Sequence, residues 1–363
     1  MEWLLIYLYV FDVSFVLALA LTPVCRRLSH RLGVVDQPNL ERKIHSTAMP
    51  LLGGVAVFAA FAVNVVFNYA VVLPLATRWD LPLVDLPDVR PYLEGAFSVG
   101  PKLFVLLAGG ALMVALGLYD DTHDLKAGPK FIAQVLIALL VAAAGMRITL
   151  FIANPVIHVV VTVLWIVMLT NAMNFLDNMD GLCAGVGLVC AGMFAFMAAV
   201  QQQYFVCLLA TALTGSLLGF LPYNFKPATI FLGDAGSHFI GYLLAVLPIL
   251  GTFYRSDSPT LLPVLIPLLV LAVPLFDMAM VMSIRLWRGQ PVYQGDVNHI
   301  SHRLVRLGLP QSWAVALIYL ITLTLGLGAA ILLWAELVAA VVVIVQAICI
   351  LAIVTLLEQL GRK

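Results

Sequence analysis

The sequence predicts an all-α integral membrane protein, a polytopic bundle of about eleven transmembrane helices. Of its 363 residues, 63% are hydrophobic and only 10% are charged, whereas roughly a quarter of the residues in soluble domains are charged. The hydrophobic residues occur in runs of about 20, the length that an α-helix needs to cross a hydrocarbon core about 30 Å thick. This composition excludes an ordinary soluble domain.

Apolar runs bounded by proline, glycine and charged clusters give the positions of the predicted spans. The first run is long and more spans follow it, so we interpret it as a retained helix rather than a cleaved signal peptide. We expect one polytopic transmembrane domain across residues 1–363. The spans lie near 3–24, 51–75, 101–119, 129–146, 156–176, 183–201, 204–222, 235–253, 259–284, 311–334 and 336–357. The polar loops of one side lie near 25–50, 120–128, 177–182, 223–234 and 285–310.

The basic residues are unevenly divided between the two sides of this bundle. One side carries fourteen Lys and Arg residues and the other carries five. The positive-inside rule makes the first side cytoplasmic, with the N-terminus outside and the C-terminus inside. The fourteen are Arg26, Arg27, Arg31, Arg42, Lys43, Lys126, Lys130, Lys226, Arg285, Arg288, Arg303, Arg306, Arg362 and Lys363, and the five are Arg78, Arg90, Lys102, Arg147 and Arg255.

Aspartates cluster on the side predicted to be cytoplasmic, at helix ends against the membrane. A carboxylate in such apolar surroundings is costly unless it is paired or binds a cation. Asp277 falls inside the ninth predicted span, where an ionisable residue is a functional candidate. The clustered residues are Asp120, Asp121, Asp124, Asp177, Asp180, Asp234 and Asp296.

Two adjacent carboxylates, Asp120 and Asp121, close the third predicted span. A divalent cation or a shared proton relieves their repulsion. A solvated helix end is the simpler alternative, but acidic residues at a helix C-terminus oppose the helix dipole. Stability alone therefore does not explain this pair, and the pattern favours a functional site.

A second stretch, residues 171–182, carries Asn174, Asp177 and Asp180 at every third position. At a helical end this spacing directs the three side chains roughly to one side. Asparagine and aspartate supply the donors and acceptors that read a pyrimidine edge or hold a hydrated Mg²⁺. Both residue types are unusually frequent here for a plain connecting loop, so the pattern favours a binding site.

A third stretch, residues 223–237, places Asp234 between glycines at the start of a predicted helix. Glycine permits close backbone approach, and the free amides of a helix N-terminus suit an anion. Alone, this motif is a weak signal, because many turns contain it. Its position among the other acidic stretches makes it a candidate site.

Two further stretches are candidates for phosphate binding. His299, His302 and Arg303 lie within five residues before the tenth span, and they suit a pyrophosphate or, as neutral histidines, a metal ion. The alternative is a basic loop attracted to anionic lipid headgroups. A basic pair that includes Lys43 leads into a Gly-Gly helix start at 53–54, which suits a phosphate but also fits ordinary positive-inside flanking charge.

These five stretches, in this order, resemble the polyprenyl-phosphate N-acetylhexosamine-1-phosphate transferase family over about residues 40–305. The histidine stretch 298–303 reads Asn-His-Ile-Ser-His-Arg. It is similar to the undecaprenyl-phosphate GlcNAc-1-phosphate transferase branch, whereas phospho-N-acetylmuramoyl-pentapeptide transferases show three consecutive histidines. Residues 177–181 read Asp-Asn-Met-Asp-Gly, so asparagine replaces the first glycine of the family's common Asp-Gly-x-Asp-Gly.

The resemblance implies transfer of an N-acetylhexosamine-1-phosphate, most simply GlcNAc-1-phosphate, from a UDP-sugar to undecaprenyl (polyprenyl) phosphate. UMP is released, and Mg²⁺ is the implied cofactor, for which Mn²⁺ can substitute. The implied setting is the bacterial cytoplasmic (inner) membrane, at the first membrane step of cell-envelope polysaccharide synthesis such as lipopolysaccharide or teichoic acid. The implied partners are the nucleotide sugar, the lipid and the membrane, with no nucleic acid; a homodimer is compatible with this resemblance.

The resemblance also implies roles for individual residues at the cytoplasmic face. Asp234 matches the family's Mg²⁺ ligand. The implied catalytic residues are Asp120, Asp121, Asp177 and His299, of which the first two match a pair proposed to activate the lipid phosphate. The implied substrate-binding residues are Lys43, Lys130, Asn174, Asp180, Asn224, Phe231, His302 and Arg303.

Several alternatives stay open at the level of sequence. Phospho-MurNAc-pentapeptide transfer is one, and an ion-coupled transporter is another, although carriers bind their substrates near the membrane midplane. We expect direct in-line attack by the lipid phosphate with Asp120 as base, against a two-step route through an aspartyl-phosphate. The hexosamine, the polymer pathway and the role of Asp277 are not determined by these motifs.

Overall fold

The computed structural model describes residues 2–36, 48–78, 89, 92, 95–149, 153–254, 258–291 and 298–360, and α-helices dominate it. The described helices are α1 (Glu2–Leu32), α2 (Gly53–Phe67), α3 (Leu73–Arg78), α4 (Gly100–His123), α5 (Ala127–Ala143), α6 (Pro155–Leu176), α7 (Leu182–Val200), α8 (Tyr204–Asn224), α9 (Gly233–Leu250), α10 (Ile266–Val270), α11 (Ala272–Trp287), α12 (Ile300–Arg306), α13 (Gln311–Ile331) and α14 (Leu337–Leu360). A π-helical turn (Asn68–Val72) joins α2 to α3, and 3-10 turns precede α4 (Phe97–Val99) and α10 (Leu262–Leu265). Two short antiparallel strands, β1 (Val35–Asp36) and β2 (Met49–Pro50), pair with Val35 opposite Pro50.

The described part of the chain contains nine helical segments long and apolar enough to cross a membrane, which confirms the all-α polytopic prediction. Two of the eleven predicted spans differ from this set. The span predicted at 129–146 is α5, whose 17 residues lie at the lower limit for a crossing. The span predicted at 259–284 is broken at Leu271, where α10 and α11 meet at a bend of 70°. Pro267 and Pro274 flank this break, and proline cannot donate the hydrogen bond that continues a helix.

The first helix is longer than predicted, because α1 continues from the span at 3–24 to Leu32. At 1.5 Å per residue its 31 residues extend about 46 Å, more than the hydrocarbon core requires. Arg26, Arg27 and Arg31 therefore lie on the helical extension and not in a loop. The extension carries these charges beyond the length that a crossing requires.

Helix α9 is the centre of the bundle. In its most apolar 18-residue stretch 78% of the residues are buried inside the protein, whereas in that of α1 only 17% are buried. Neighbouring helices approach it at glycines, which let backbones come close in a membrane. A Cβ added at Gly117 of α4 would lie 2.3 Å from the carbonyl carbon of Asp234, and one added at Gly54 of α2 would lie 2.0 Å from the amide nitrogen of Gly236. The first turn of α9, which carries Asp234, is thereby fixed between two helices.

The chain direction brings the polar motifs to one face of the bundle. Helices α4, α6, α8 and α11 end at this face, and α5, α7, α9 and α13 begin there. The acidic pair lies at the end of α4, Lys130 in the first turn of α5, Asn174 at the end of α6 and Asp234 at the start of α9. Four helix ends thus surround one site.

Candidate active site

Lys130 lies at the centre of the site and contacts two carboxylates. Its Nζ is 2.7 Å from Asp120 Oδ2 and 2.6 Å from Asp234 Oδ2, and it donates a hydrogen bond of 3.3 Å to Asn174 Oδ1. The side chains are partly shielded from water, with exposures of 15% for Lys130, 9% for Asp120 and 30% for Asp234. One ammonium therefore holds together residues that are about 100 positions apart in sequence.

Asn174 orients the carboxylate of Asp234 from the other side. Its Nδ2 donates to Asp234 Oδ1 at 2.7 Å and to Ser237 Oγ at 3.0 Å. One turn earlier on α6, Asn171 donates to the buried Gln134 of α5 at 2.6 Å. Both oxygens of Asp234 are thus engaged, one by an amide and one by an ammonium, which fixes the direction in which its lone pairs point.

Asp121 has a different environment from its neighbour Asp120. Its carboxylate accepts hydrogen bonds from the backbone amides of Asp234 at 2.9 Å and Ala235 at 3.3 Å, the second and third residues of α9. The expectation that this helix N-terminus offers free amides to an anion is therefore wrong for these two groups, because an internal carboxylate already caps them. Asp121 joins the end of α4 to the start of α9.

The Gly-Gly helix start at 53–54 is also occupied by protein. The amide of Gly53 donates to the carbonyl of Phe231 at 3.1 Å, and that of Gly54 donates to the carbonyl of Leu232 at 2.8 Å. The suggested phosphate site at these amides is therefore wrong. The glycines are needed for close packing, since a Cβ on Gly53 would meet the Phe231 carbonyl oxygen at 2.3 Å.

The stretch 171–182 does not form one helical face, because α6 ends at Leu176. Asp177 follows as the C-terminal cap residue, and burial raises the pKa of its carboxyl group well above the ordinary aspartate value. The negative charges of neighbouring aspartates, first of all Asp234, raise this pKa further. Asp180 instead accepts the backbone amide of Ala228 at 3.2 Å. The side chains therefore do not share one helical face, although the charges of Asp180 and Asp234 still act on Asp177.

Two residues with implied substrate contacts lie beside this turn. Asn224 is only 4% exposed, and its side-chain amide accepts the backbone amide of Gly181 and donates to the Ile230 carbonyl. It braces the loop between α8 and α9. Phe231 is partly buried, and its backbone amide donates to Pro50 at 2.8 Å, which ties the same loop to β2.

The histidine stretch 298–303, called the histidine segment below, lies at the other edge of the site. His299 Nδ1 lies 2.7 Å from Asp277 Oδ2, and the His299 ring is 6.2 Å from Phe175 at the end of α6. Ser301 donates to Asn178 Oδ1 at 2.5 Å, so the segment is tied to the turn after α6. The His302 ring lies 6.3 Å from that of His299, and Arg303 is 6% exposed. Lys43 and Asp296 lie outside the described residues.

A cavity of about 1250 Å³ opens beside Lys130 and Asp234. Its polar end includes four aspartates and two lysines, which are Asp120, Asp121, Asp124, Asp234, Lys126 and Lys130. Its apolar side lies between α6 and α11 and includes Leu164, Val167, Met168, Met278 and Met282. An acidic end joined to an apolar channel is suited to an amphipathic ligand.

The side chains at the polar end fit a divalent cation by their chemistry. Four aspartates face two lysines at this end of the cavity, and Asp177 adjoins them. Carboxylate and amide oxygens are the ligands that Mg²⁺ uses in proteins. Among the described residues, no three acidic, histidine or cysteine side chains already converge on one point. The residues that would hold the ion are Asp234 first, with Asp120 and Asp177 beside it.

Sequence reasoning did not identify two parts of this site. Gln134 has 0% exposure and contacts Asn171, and the available signal is its position four residues after Lys130, on the same face of α5. The contact of Asp277 with His299 joins α11 to the residue before α12, 22 positions further along the chain, and no spacing rule predicts it. Both depend on how α5 and α11 pack.

Comparison with known proteins gives the family. A sequence model of glycosyl transferase family 4 matches residues 103–252. A probable undecaprenyl-phosphate N-acetylglucosaminyl 1-phosphate transferase of Bacillus subtilis is 32% identical over 335 residues, which cover 89% of this chain and 84% of that protein. A decaprenyl-phosphate N-acetylglucosaminephosphotransferase of Mycobacterium tuberculosis is 31% identical over 93% of this chain and 85% of its own length.

A relative from the other branch matches a smaller region. A phospho-N-acetylmuramoyl-pentapeptide-transferase of Lactiplantibacillus plantarum is 35% identical over 168 residues, 41% of this chain and 52% of that protein. The full-length similarity therefore lies with the first group, as the histidine stretch indicates. The chain belongs to glycosyl transferase family 4, in the branch of the polyprenyl-phosphate N-acetylglucosamine-1-phosphate transferases.

Proposed function

We propose that this protein transfers GlcNAc-1-phosphate from UDP-GlcNAc to undecaprenyl (polyprenyl) phosphate and releases UMP, with Mg²⁺ as cofactor. The observation that carries the proposal is the cavity whose acidic end, at Lys130 and Asp234, continues into an apolar channel between α6 and α11. A reaction between a water-soluble nucleotide sugar and a membrane lipid needs both environments at one point. The names of the relatives, which are polyprenyl-phosphate transferases of N-acetylglucosamine phosphate, support the lipid acceptor and the transferred group.

The acceptor lipid would enter from the membrane along the apolar side of the cavity. Met168 on α6 and Met278 and Met282 on α11 line this side, and methionine packs adaptably against flexible chains. The phosphate of the lipid would then lie near Lys130, the ammonium group at the inner end. This path keeps the polyprenyl chain in hydrocarbon while its head reaches the polar residues.

The bond changes are those of a phosphoryl transfer. An oxygen of the lipid phosphate attacks the β-phosphorus of UDP-GlcNAc, and a new P–O bond forms. The bond from this phosphorus to the bridging oxygen breaks, and UMP leaves with the electron pair. Such transfers depend on positioning and charge stabilisation more than on a strong base. A bound Mg²⁺ would supply Lewis-acid stabilisation of the phosphate oxygens.

The protein's own residues position the groups that react. Lys130 forms ion pairs with Asp120 and Asp234 and offers an ammonium to the phosphate oxygens. Asn174 keeps the Asp234 carboxylate in one orientation. Asp120 is held by Lys130 and by the Leu125 amide at 2.7 Å, and it would accept the proton that the lipid phosphate monoester carries when incompletely ionised.

We further propose that the site faces the cytoplasm, at the bacterial inner membrane. The support is the distribution of the basic residues, fourteen on the side of the site against five on the other. Nucleotide sugars are cytoplasmic compounds, so this orientation gives the donor direct access. The polymer that the product enters, such as a lipopolysaccharide or a teichoic acid, follows from the organism and not from this site.

Two other functions fit the site less well. A carrier would bind its substrate near the membrane midplane, whereas Asp120, Lys130 and Asp234 lie within a turn or two of helix ends at one face. Transfer of phospho-MurNAc-pentapeptide is disfavoured because the relative with that name matches only 41% of this chain. A two-step route through an aspartyl-phosphate is the competing mechanism, and labelling of the protein without the lipid acceptor distinguishes it from direct transfer.

The test is UMP release by the purified protein in detergent or nanodiscs. Radiolabelled UDP-GlcNAc, UDP-GalNAc and UDP-MurNAc-pentapeptide are supplied separately with polyprenyl phosphate and Mg²⁺. We expect UMP and labelled lipid in equal amounts with UDP-GlcNAc, and loss of both with EDTA or with Asp234→Asn. Labelled protein formed without the lipid acceptor would contradict direct transfer. Solute uptake into sealed proteoliposomes that contain the protein, without UMP release, would favour a carrier.

A further inference from the structure

Asp277 is a buried carboxylate within α11 that contacts the histidine segment. It is 1% exposed, and His299 is 5% exposed. Asp277 Oδ2 lies 2.7 Å from His299 Nδ1, and Asp277 Oδ1 accepts the backbone amide of Ile300 at 2.8 Å. Both carboxylate oxygens are therefore used to hold the first two residues of this segment.

This contact determines which nitrogen of His299 is available. Imidazole is a stronger base than a carboxylate, so the proton between the two groups belongs to Nδ1. Whether the ring is neutral or charged, Nδ1 donates to Asp277, and Nε2 is the nitrogen left for a ligand. The described residues supply one hydrogen bond to the His299 ring, and it is made through Nδ1.

The His299 ring, held by Asp277, lies beside the cavity. Phe175, whose ring centroid is 6.2 Å from that of His299, lines the cavity together with Asp234. Helix α11, which carries Asp277, also lines the apolar side of the cavity through Met278 and Met282. One helix therefore contacts both the channel for the lipid and the histidine segment.

We propose that Asp277 is a positioning residue for the transfer reaction, which holds His299 as the Nδ1–H tautomer with Nε2 directed to the diphosphate of the donor. This inference rests on the proposed function, in which His299 acts on that diphosphate. Asp277 touches no substrate itself. It acts by accepting hydrogen bonds from the ring of His299 and from the first amide of α12. This role requires a charged acceptor, which accounts for a carboxylate inside an apolar span.

The test combines a double-mutant cycle with a direct measurement of the tautomer. The variants are Asp277→Asn, His299→Gln and the double variant, with Asp12→Asn as the matched control, since Asp12 is an acidic residue on the exposed side of another span, α1. UMP release gives kcat and KM for each. We expect Asp277→Asn to lower kcat by about 10- to 100-fold, the usual effect of removing a histidine's orienting partner, with KM changed far less. The double variant should be no slower than His299→Gln alone.

The tautomer measurement does not depend on activity. The chain has seven histidines, and nitrogen NMR of protein labelled with ¹⁵N-histidine, with His299→Gln as the reference, assigns the His299 signals. We expect a protonated Nδ1 in the unmodified protein and a shift of the proton to Nε2 in Asp277→Asn. A double variant slower than His299→Gln by the full Asp277→Asn factor, or an unchanged tautomer, would overturn the inference. Absence of UMP release by the unmodified protein would instead contradict the proposed function, and the NMR result would still decide the contact.

Discussion

Replacing Lys130 by methionine tests the two roles assigned to this residue. The first is the ion pair with the carboxylates of Asp120 and Asp234, and the second is contact with the substrate phosphate. The ammonium lies 2.6 Å from Asp234 and 2.7 Å from Asp120. A Mg²⁺ or Mn²⁺ ion bound to the same carboxylate of Asp234 would lie within about 4–5 Å of Nζ, since such ions bind oxygen at about 2 Å. We therefore expect Lys130→Met to strengthen binding of the divalent ion while it lowers turnover.

The magnitude follows from Coulomb's law. Two unit charges 4 Å apart interact by about 1 kcal/mol in water and about 4 kcal/mol at an effective dielectric constant of 20, and a doubly charged ion doubles both figures. Because the side chains are only 9% to 30% exposed, the value in water, about 2 kcal/mol for a doubly charged ion, is a lower limit. It corresponds to more than about tenfold tighter ion binding. Turnover should fall by about 100-fold or more, as when one donor to a developing charge is removed.

Mn²⁺ binding measured by electron paramagnetic resonance and UMP release measured at saturating ion provide the two quantities. Lys126→Met is the control, because Lys126 lines the same cavity but is exposed, so its removal should change both quantities by less than about threefold. Folded protein is checked by size-exclusion chromatography. Unchanged or weaker Mn²⁺ binding by folded Lys130→Met would refute the reasoning that this ammonium and the ion share Asp234.

Three further predictions concern the surroundings of this site. Asp121→Ala should lower the free energy of unfolding by about 1–2 kcal/mol through loss of the cap on α9, and Asp121→Asn should lower it less because asparagine keeps an acceptor. Thermal unfolding in detergent measures both, and equal melting temperatures for the two variants would contradict the capping role. Gly54→Ala should lower the melting temperature and the yield of folded protein because its Cβ would meet Gly236 at 2.0 Å, whereas Gly128→Ala, with no atom within 4 Å, should not. The raised pKa of Asp177 means that the folded protein binds this proton more tightly than the unfolded chain, so in EDTA stability should fall as pH rises from about 4 through the raised pKa. Asp177→Asn should remove that fall, and added Mg²⁺ should reduce it; a pH profile unaffected by the substitution would show that another group titrates.

Much of the fold and part of the site follow from local sequence. The runs of about 20 apolar residues are sufficient for nine spans, because length and hydropathy alone decide whether a helix crosses a membrane. The acidic residues Asp120 and Asp234 are recognisable because a carboxylate next to a span is costly without a purpose, whereas Lys130 is implied only by the resemblance to the family. Motif order was sufficient for the family, since the full-length relatives confirm it.

Other features depend on contacts between distant segments. Adjacent residues Asp120 and Asp121 look equivalent in sequence, yet one pairs with Lys130 and the other caps α9, because successive side chains on a helix point about 100° apart. The bend at Leu271 turns an expected straight span into two helices. The contact between Asp277 of α11 and His299 forms across 22 residues of chain, and no local sequence pattern indicates it. Hydropathy determines which segments enter the membrane, but the direction of each polar side chain depends on helix packing, and packing decides which carboxylates hold the structure and which remain for chemistry.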